Sequence, residues 1–129
     1  MKLSKATSST LLSLAIAGSF LAPVNAQFIQ QGGKLVGTGA VGQSLQGKSV
    51  AISGDGNTAI VGAYMDNGNT GAAWVYTRSG GVWTQQGAKL VGTGAVGSAY
   101  QGGAVALSAD GNTAIVGGSF DHQFENSFL

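Results

Sequence analysis

The sequence contains no cysteine. Thiol catalysis, redox chemistry and cysteine-based metal sites are therefore excluded, and no disulfide can staple the fold, so stability must come from packing. There is one histidine, His122, and no Ser–His–Asp set can be assembled credibly around it. Charged residues make up only 9% of the chain, with no basic patch. Nucleic-acid binding thus lacks its electrostatic footprint. No paired carboxylates stand close in sequence for acid–base work. After residue 26 there is no helical periodicity and no apolar run long enough to span a bilayer.

The start of the chain reads as an export signal. Lys2 and Lys5 give a basic beginning, and Leu11 to Ala22 is an apolar run of the length of a signal-peptide core. Pro23 breaks it, and Val24-Asn25-Ala26 offers small residues for cleavage after Ala26. The alternative, a membrane anchor, needs about 20 apolar residues. The expected product is a soluble extracellular or periplasmic chain beginning at Gln27. It carries four basic and five acidic residues.

What the chain has in abundance is glycine, 23 residues, and an internal repeat. Gln30–Asp66 returns as Gln85–Asp121 at an offset of 55 residues, with 26 of 37 positions identical. A repeat this strict specifies architecture, because each copy must present the same faces to its neighbours. Within a period, Ser49–Ser53 alternates as a strand, with Val50 and Ile52 on one face. Asp55-Gly56 predicts a two-residue type I′ turn, and Thr58–Ala63 is the return strand. Both faces of this hairpin are apolar, so both are expected to be covered. Ala72–Arg78 is rich in aromatic and β-branched residues and reads as a strand. Gly80-Gly81 turns it into Val82–Gln86, which places Trp83 across from Arg78. Short strands at Lys34–Val36 and Lys89–Val91 complete the pattern.

About four antiparallel strands per period, apolar on both faces, predict an all-β fold of β-propeller blades, typically 4–8 to a ring. The chain holds far less than a ring. The expected layout is a signal peptide (1–26), the last strand of a preceding blade with its connection (27–46), one repeat (47–101), a partial repeat (102–121) and an aberrant tail (122–129). The tail abandons the repeat abruptly after Asp121, which predicts a truncated or frameshifted propeller fragment.

The pattern Gly47-x-Ser49-Val50-Ala51-Ile52-Ser53…Asp55-Gly56…Ile60-Val61-Gly62-Ala63, with its copy from Gly102 to Gly117, resembles the FG-GAP repeat family. These are the bacterial relatives of the integrin α-chain N-terminal propeller. Gln46 and Gln101 stand where the family's phenylalanine precedes glycine. Tyr64 and Ser119 stand where its proline follows Gly-Ala. The resemblance implies a β-propeller and a role in extracellular recognition or adhesion. It also implies a place to look for calcium, the loop between the first two blade strands. Here that loop, Ser53–Asn57, offers a single carboxylate, whereas hard cations take 6–8 oxygens; a plain turn suffices.

The remaining candidates are few. Asp55, Asp66, Asn67, Asn69 and Asp110 are the oxygen-bearing residues that calcium could use, although Asp and Asn equally suit tight turns. No other cofactor is expected. Gly37–Gly42 is a literal G-x-G-x-x-G, but it recurs at Gly92–Gly97 and leads to a strand, whereas a dinucleotide site needs a helix there. Trp74, Tyr76 and Trp83 could form a sugar-stacking platform, or the aromatic packing of a hairpin. The expected function is non-enzymatic extracellular recognition or adhesion of a protein or glycan partner, with loops such as Asp66–Gly71 in contact. The alternatives are a carbohydrate- or calcium-binding accessory module of an exported enzyme, and a structural surface repeat. Open blade faces predict self-association.

Overall fold

The computed structural model describes residues 27–121. The expected signal peptide, its cleavage site and the tail from His122 lie outside the described residues. Two compact units divide the chain, Met1–Gln30 and Gln31–Leu129. Of the first, only residues 27–30 are described, without regular structure. Among the described residues no helix is long and apolar enough to cross a membrane.

The second unit is all β. Strands β1 (Ser49–Ile52), β2 (Thr58–Ala63), β3 (Ala72–Ser79) and β4 (Val82–Gln85) form an antiparallel sheet in the order β1-β2-β3-β4. Strands β5 (Gln101–Leu107) and β6 (Ala114–Gly118) form a separate antiparallel hairpin, equivalent in the repeat to β1-β2. This is the four-stranded blade expected, followed by the inner half of another.

Register assigns each side chain to a face, because directly opposite residues of antiparallel strands point the same way. Val50, Val61 and Trp74 lie in line across the first three strands, as do Ile52, Ala59 and Tyr76. We call this the leading face. The trailing face carries Ser49, Ala51, Ile60, Gly62 and Ala73. The inner hairpin β5-β6 packs on the trailing face, with β5 lying over β1 and β2. Contact is close enough that a Cβ at Gly62 would stand 2.1 Å from the Gly102 carbonyl oxygen. Ser49 Oγ donates to that same oxygen at 2.8 Å. Ile60 is fully buried beneath the contact.

The leading face is covered differently. Its outer half (Ala63, Ala72, Trp74 and Tyr76, with Val61 and Trp83 packed against them) is a small core. The glycine-rich segment 37–41 folds back over it, and the Trp74 indole donates to the Thr38 carbonyl at 2.8 Å. Its inner half is open: Val50 is 66% and Ile52 58% exposed. The expectation that both hairpin faces are covered therefore holds for the trailing face only.

Two turns are worth separating. At Gly80-Gly81 both residues have positive φ, 56° and 80°, as a two-residue type I′ connection requires. Trp83 accordingly faces Arg78, with the guanidinium 5.3 Å from the indole centroid. At Asp55-Gly56 only Gly56 is left-handed, at 69°. The Gly56 N–H donates to the Ser53 carbonyl at 2.9 Å, which closes a four-residue turn and not the type I′ turn predicted. The reason is the Asp55 side chain, which bonds within the turn and holds its own backbone at negative φ.

The strand predicted at Lys89–Val91 is not separate. Leu90 exchanges two backbone hydrogen bonds with Ala73, at 3.0 and 2.7 Å. It prolongs β4 past an irregularity at Gly87, whose φ is 70°. Its repeat counterpart, predicted at Lys34–Val36, has no strand structure. Among the described residues no third strand precedes it to pair with, and Lys34, Leu35 and Val36 are exposed.

Candidate functional site

The G-x-G-x-x-G segment is fastened through the backbone groups of Gly37, Thr38 and Val41. The Gln46 side-chain amide makes a two-point clamp on Gly37, accepting from its N–H at 2.7 Å and donating to its carbonyl at 3.0 Å. Gln85 accepts from the Thr38 N–H at 2.8 Å. Asp66 accepts from the Val41 N–H at 2.8 Å. A phosphate cradle needs free N–H groups; here the amides of Gly37, Thr38 and Val41 already serve protein acceptors, and no helix follows. The second copy repeats the fastening. Gln101 clamps Gly92 at 2.6 and 3.2 Å, and Asp121 accepts from Val96 at 2.8 Å. The two glutamines that stand where the resemblance expected phenylalanine thus do a structural task of their own.

The oxygen-bearing candidates divide between turns and struts. Asp55 accepts from the Ser53 hydroxyl and the Asn57 N–H through one oxygen, and from the Asn57 side-chain amide through the other. Asp110 accepts in the same way from Ser108 and the Asn112 N–H. The serine hydroxyls, and then the backbone amides, hold both carboxyls below the usual carboxylate range. Asp66 is fully buried, and its second oxygen takes the Lys89 ammonium at 2.5 Å. Asn67 and Asn69 adopt left-handed φ in the turn that follows, and the Asn69 carbonyl accepts from the Tyr100 N–H at 2.9 Å. The two aspartate turns touch, the Gly54 N–H donating to the Ala109 carbonyl at 2.8 Å. Among the described residues no three acidic or histidine side chains converge.

The aromatic candidates are core. Trp74 is fully buried and Tyr76 nearly so, and burial pushes the Tyr76 hydroxyl above its usual pKa. Trp83 is half-buried under Arg78. No sugar can stack on a Trp74 ring that already lies against Gly37, where even a Cβ would stand 2.4 Å from the indole. Of the two readings open for Trp74, Tyr76 and Trp83, the burial of the first two and the packing of Trp83 against them favour the packing of the blade.

A different aromatic cluster lies open, in a groove of about 320 Å³ between the blade and the second hairpin. Lys48, Tyr64, Tyr100, Gly103, Ser119 and Phe120 line it. The Tyr64 and Tyr100 rings stack with centroids 5.8 Å apart and planes 26° apart. Phe120 meets Tyr100 edge-on at 5.1 Å. The Lys48 ammonium stands 5.9 Å from the Tyr64 centroid. No carboxylate lines the groove, and Lys48 forms no salt bridge among the described residues. Tyr100 has φ of 55°, but so does its counterpart Leu45, at 53°; the strain belongs to the repeat and not to the groove.

Sequence reasoning missed this cluster, though a signal was present. Every one of the six lining residues occupies a position where the two copies differ: Lys48 against Gly103, Tyr64 against Ser119, Leu45 against Tyr100, Met65 against Phe120. Only 11 of 37 positions differ at all. The arrangement offers stacking surface, two phenolic hydroxyls and one cation, the makings of a recognition site.

Comparison with known proteins agrees with the blade. Residues 30–76 match the model of the FG-GAP repeat family. No curated protein and no solved structure matches the chain. The matched span runs from the fastened glycine segment through β1 and β2 into β3. Residues 30–76 thus match an FG-GAP repeat, a β-propeller module, and Gln30–Asp66 of that span returns 55 residues later as Gln85–Asp121.

Proposed function

We propose that this chain is a non-enzymatic extracellular recognition module that binds acidic saccharides in the groove of Tyr64, Tyr100 and Phe120. One observation carries the reading: all six residues that line the aromatic groove stand at positions where two otherwise near-identical repeats differ. Most positions that build the blade, Val50, Ile60, Val61 and Gly62 among them, keep their residue in both copies. Positions free of that duty are where a binding surface can be made. Export is supported by the basic start and apolar run of the first 26 residues, and the FG-GAP match supports recognition as the general role.

The ligand class follows from the lining. A pyranose ring presents a C–H-bearing face that lies flat on an aromatic ring, and tyrosine hydroxyls take its hydroxyls as partners. Lys48 is a compact cation with no carboxylate beside it among the described residues, so a carboxylate on the sugar would pair with it and a neutral sugar would not. The test is calorimetric titration of the chain with a uronic-acid tetrasaccharide and, in parallel, its neutral counterpart. Tyr100→Ala should weaken binding of both by about tenfold or more. Lys48→Ala should weaken only the acidic ligand, by roughly 3–10-fold, in keeping with an exposed charge-assisted bond. Unchanged affinity in both variants, or no binding of either sugar by the wild-type chain, would sink the reading.

A further inference from the structure

The molecule contains one inter-blade interface already made, and both halves of a second one left unmade. In the first, β5, whose leading face carries Val105 and Leu107, packs on the trailing face of the first blade, where Ile60 is completely buried. Val105 and Leu107 are half-buried there, whereas their counterparts Val50 and Ile52 stand 66% and 58% exposed. Conversely, Ile115, the counterpart of the buried Ile60, is 68% exposed. Ala104 and Ala106, beside it on the trailing side of the second hairpin, are exposed as well. One end of the stack is an unused plug and the other an unused socket, and they belong to the same repeat.

We propose that the chain associates with itself head to tail: the leading face of one copy docks on the trailing face of β5-β6 of the next, reproducing between molecules the packing seen within one. The occupant is a second copy because the surface that covers Ile60 is known, and Val50 with Ile52 is that surface almost unchanged. Only Ile52 for Leu107 distinguishes the two apolar pairs. The fit extends to small residues. Gly62 has no room for a Cβ because of the Gly102 carbonyl. Its counterpart Gly117 meets only its own hairpin, at 3.6 Å or more, yet it has kept the glycine that docking requires. Gly54 lies against Ala109, a built Cβ standing 3.1 Å from its carbonyl oxygen and 3.5 Å from its methyl; in the second interface the same pair meets with the roles exchanged, and the Ala109 methyl makes that contact the tight one. The covering strand lies mainly over β1 and β2, and β6 with β5 offers that part of the socket again; the backbone bonds from Tyr100 and Gln101 to Asn69 and Thr70 have no counterpart among the described residues, so the second contact is the smaller of the two. The contact is heterologous, and repeating it yields rings or open chains according to whether the rotation closes.

The test uses the full chain and two single variants, Val50→Lys on the leading face and Ile115→Lys on the trailing face. Both side chains are exposed, so neither change disturbs the isolated fold; far-UV circular dichroism and the fluorescence of buried Trp74 check this. By light scattering coupled to gel filtration, from roughly 1 µM to 1 mM, the range suited to a small contact, the wild-type mass should rise with concentration. Each variant alone should remain a monomer, because every contact needs one intact face of each kind. Mixed, the two should form a 1:1 dimer and stop there, the open trailing face of one meeting the open leading face of the other. Gly117→Val should behave as Ile115→Lys does. A wild-type chain that stays monomeric at 1 mM overturns the proposal. So does association of either lysine variant alone, which would mean like faces meeting. The groove variants Tyr100→Ala and Lys48→Ala leave both faces intact, so loss of saccharide binding and loss of association are separate outcomes.

Discussion

Ile60 and Ile115 occupy the same position in the two repeats, each in a hairpin of the same register, yet one is fully buried and the other 68% exposed. Val50 and Val105 show the reverse. Local sequence therefore sets which face a residue takes, and the neighbouring blade alone sets whether that face is dry. In a repeat fold the energy of a position is a property of the interface and not of the repeat, as expected where stability is a sum of unit and nearest-neighbour contributions.

The largest difference between the copies should come from the strut under the first loop. Asp66 is buried with an ammonium on one oxygen and an amide on the other. Asp66→Ala strands Lys89 and the Val41 N–H together and should cost about 3–5 kcal/mol in urea titrations. Asp121→Ala, at an exposed position, should cost under about 1 kcal/mol. Equal costs would break the comparison. Next come the isoleucines. Ile60→Ala should cost about 2–5 kcal/mol through the cavity it opens, whereas Ile115→Ala in dilute solution should stay within about 0.5 kcal/mol. Raising protein concentration should widen the cost of Ile115→Ala if copies stack, which sharpens the comparison into a measure of the second interface.

The smallest effect is one of pH, and here the copies should agree. The carboxyls of Asp55 and Asp110 are depressed by the same serine and amide donors. A depressed folded pKa means stability that is fully present above the ordinary carboxylate pKa near 4 and is lost as pH falls through the lower folded value. The Asp55→Asn, Asp110→Asn double variant should therefore melt with a flatter pH slope below about pH 4 than the parent, with each single variant contributing about half. A double variant with the parent's slope would place the acid sensitivity elsewhere.

Much of the blade was legible. Val50/Ile52 alternation, the β-branched run of β3 and the Gly80-Gly81 pair fixed strands, faces and the Arg78–Trp83 pairing, because period-two patterning and positive φ are local properties. The Asp55 turn was located but mistyped, since a side-chain carboxylate competing for backbone amides outweighs the dipeptide rule. Trp74 and Tyr76 could be read as platform or packing, because segment 37–41 has no periodicity to announce that it folds over them. The groove was invisible for a plainer reason. Lys48 and Tyr64 meet Tyr100 and Phe120 only once two blades pack, and no pattern along the chain records that contact.

The glutamine clamps have a consequence for how such a protein can grow. Gln46 reaches back nine residues to Gly37, and Gln101 nine to Gly92; Asp66 and Asp121 each reach back 25. These clamps and struts lie inside one 55-residue period, and only Gln85, which takes the Thr38 amide, opens the next copy. A gene segment of that length, duplicated in tandem, carries its connector tied at both ends and asks one glutamine of the copy that follows. Its descendants are then free to drift at the few positions that tie nothing, and those are the ones that now face each other as Tyr64, Tyr100 and Phe120.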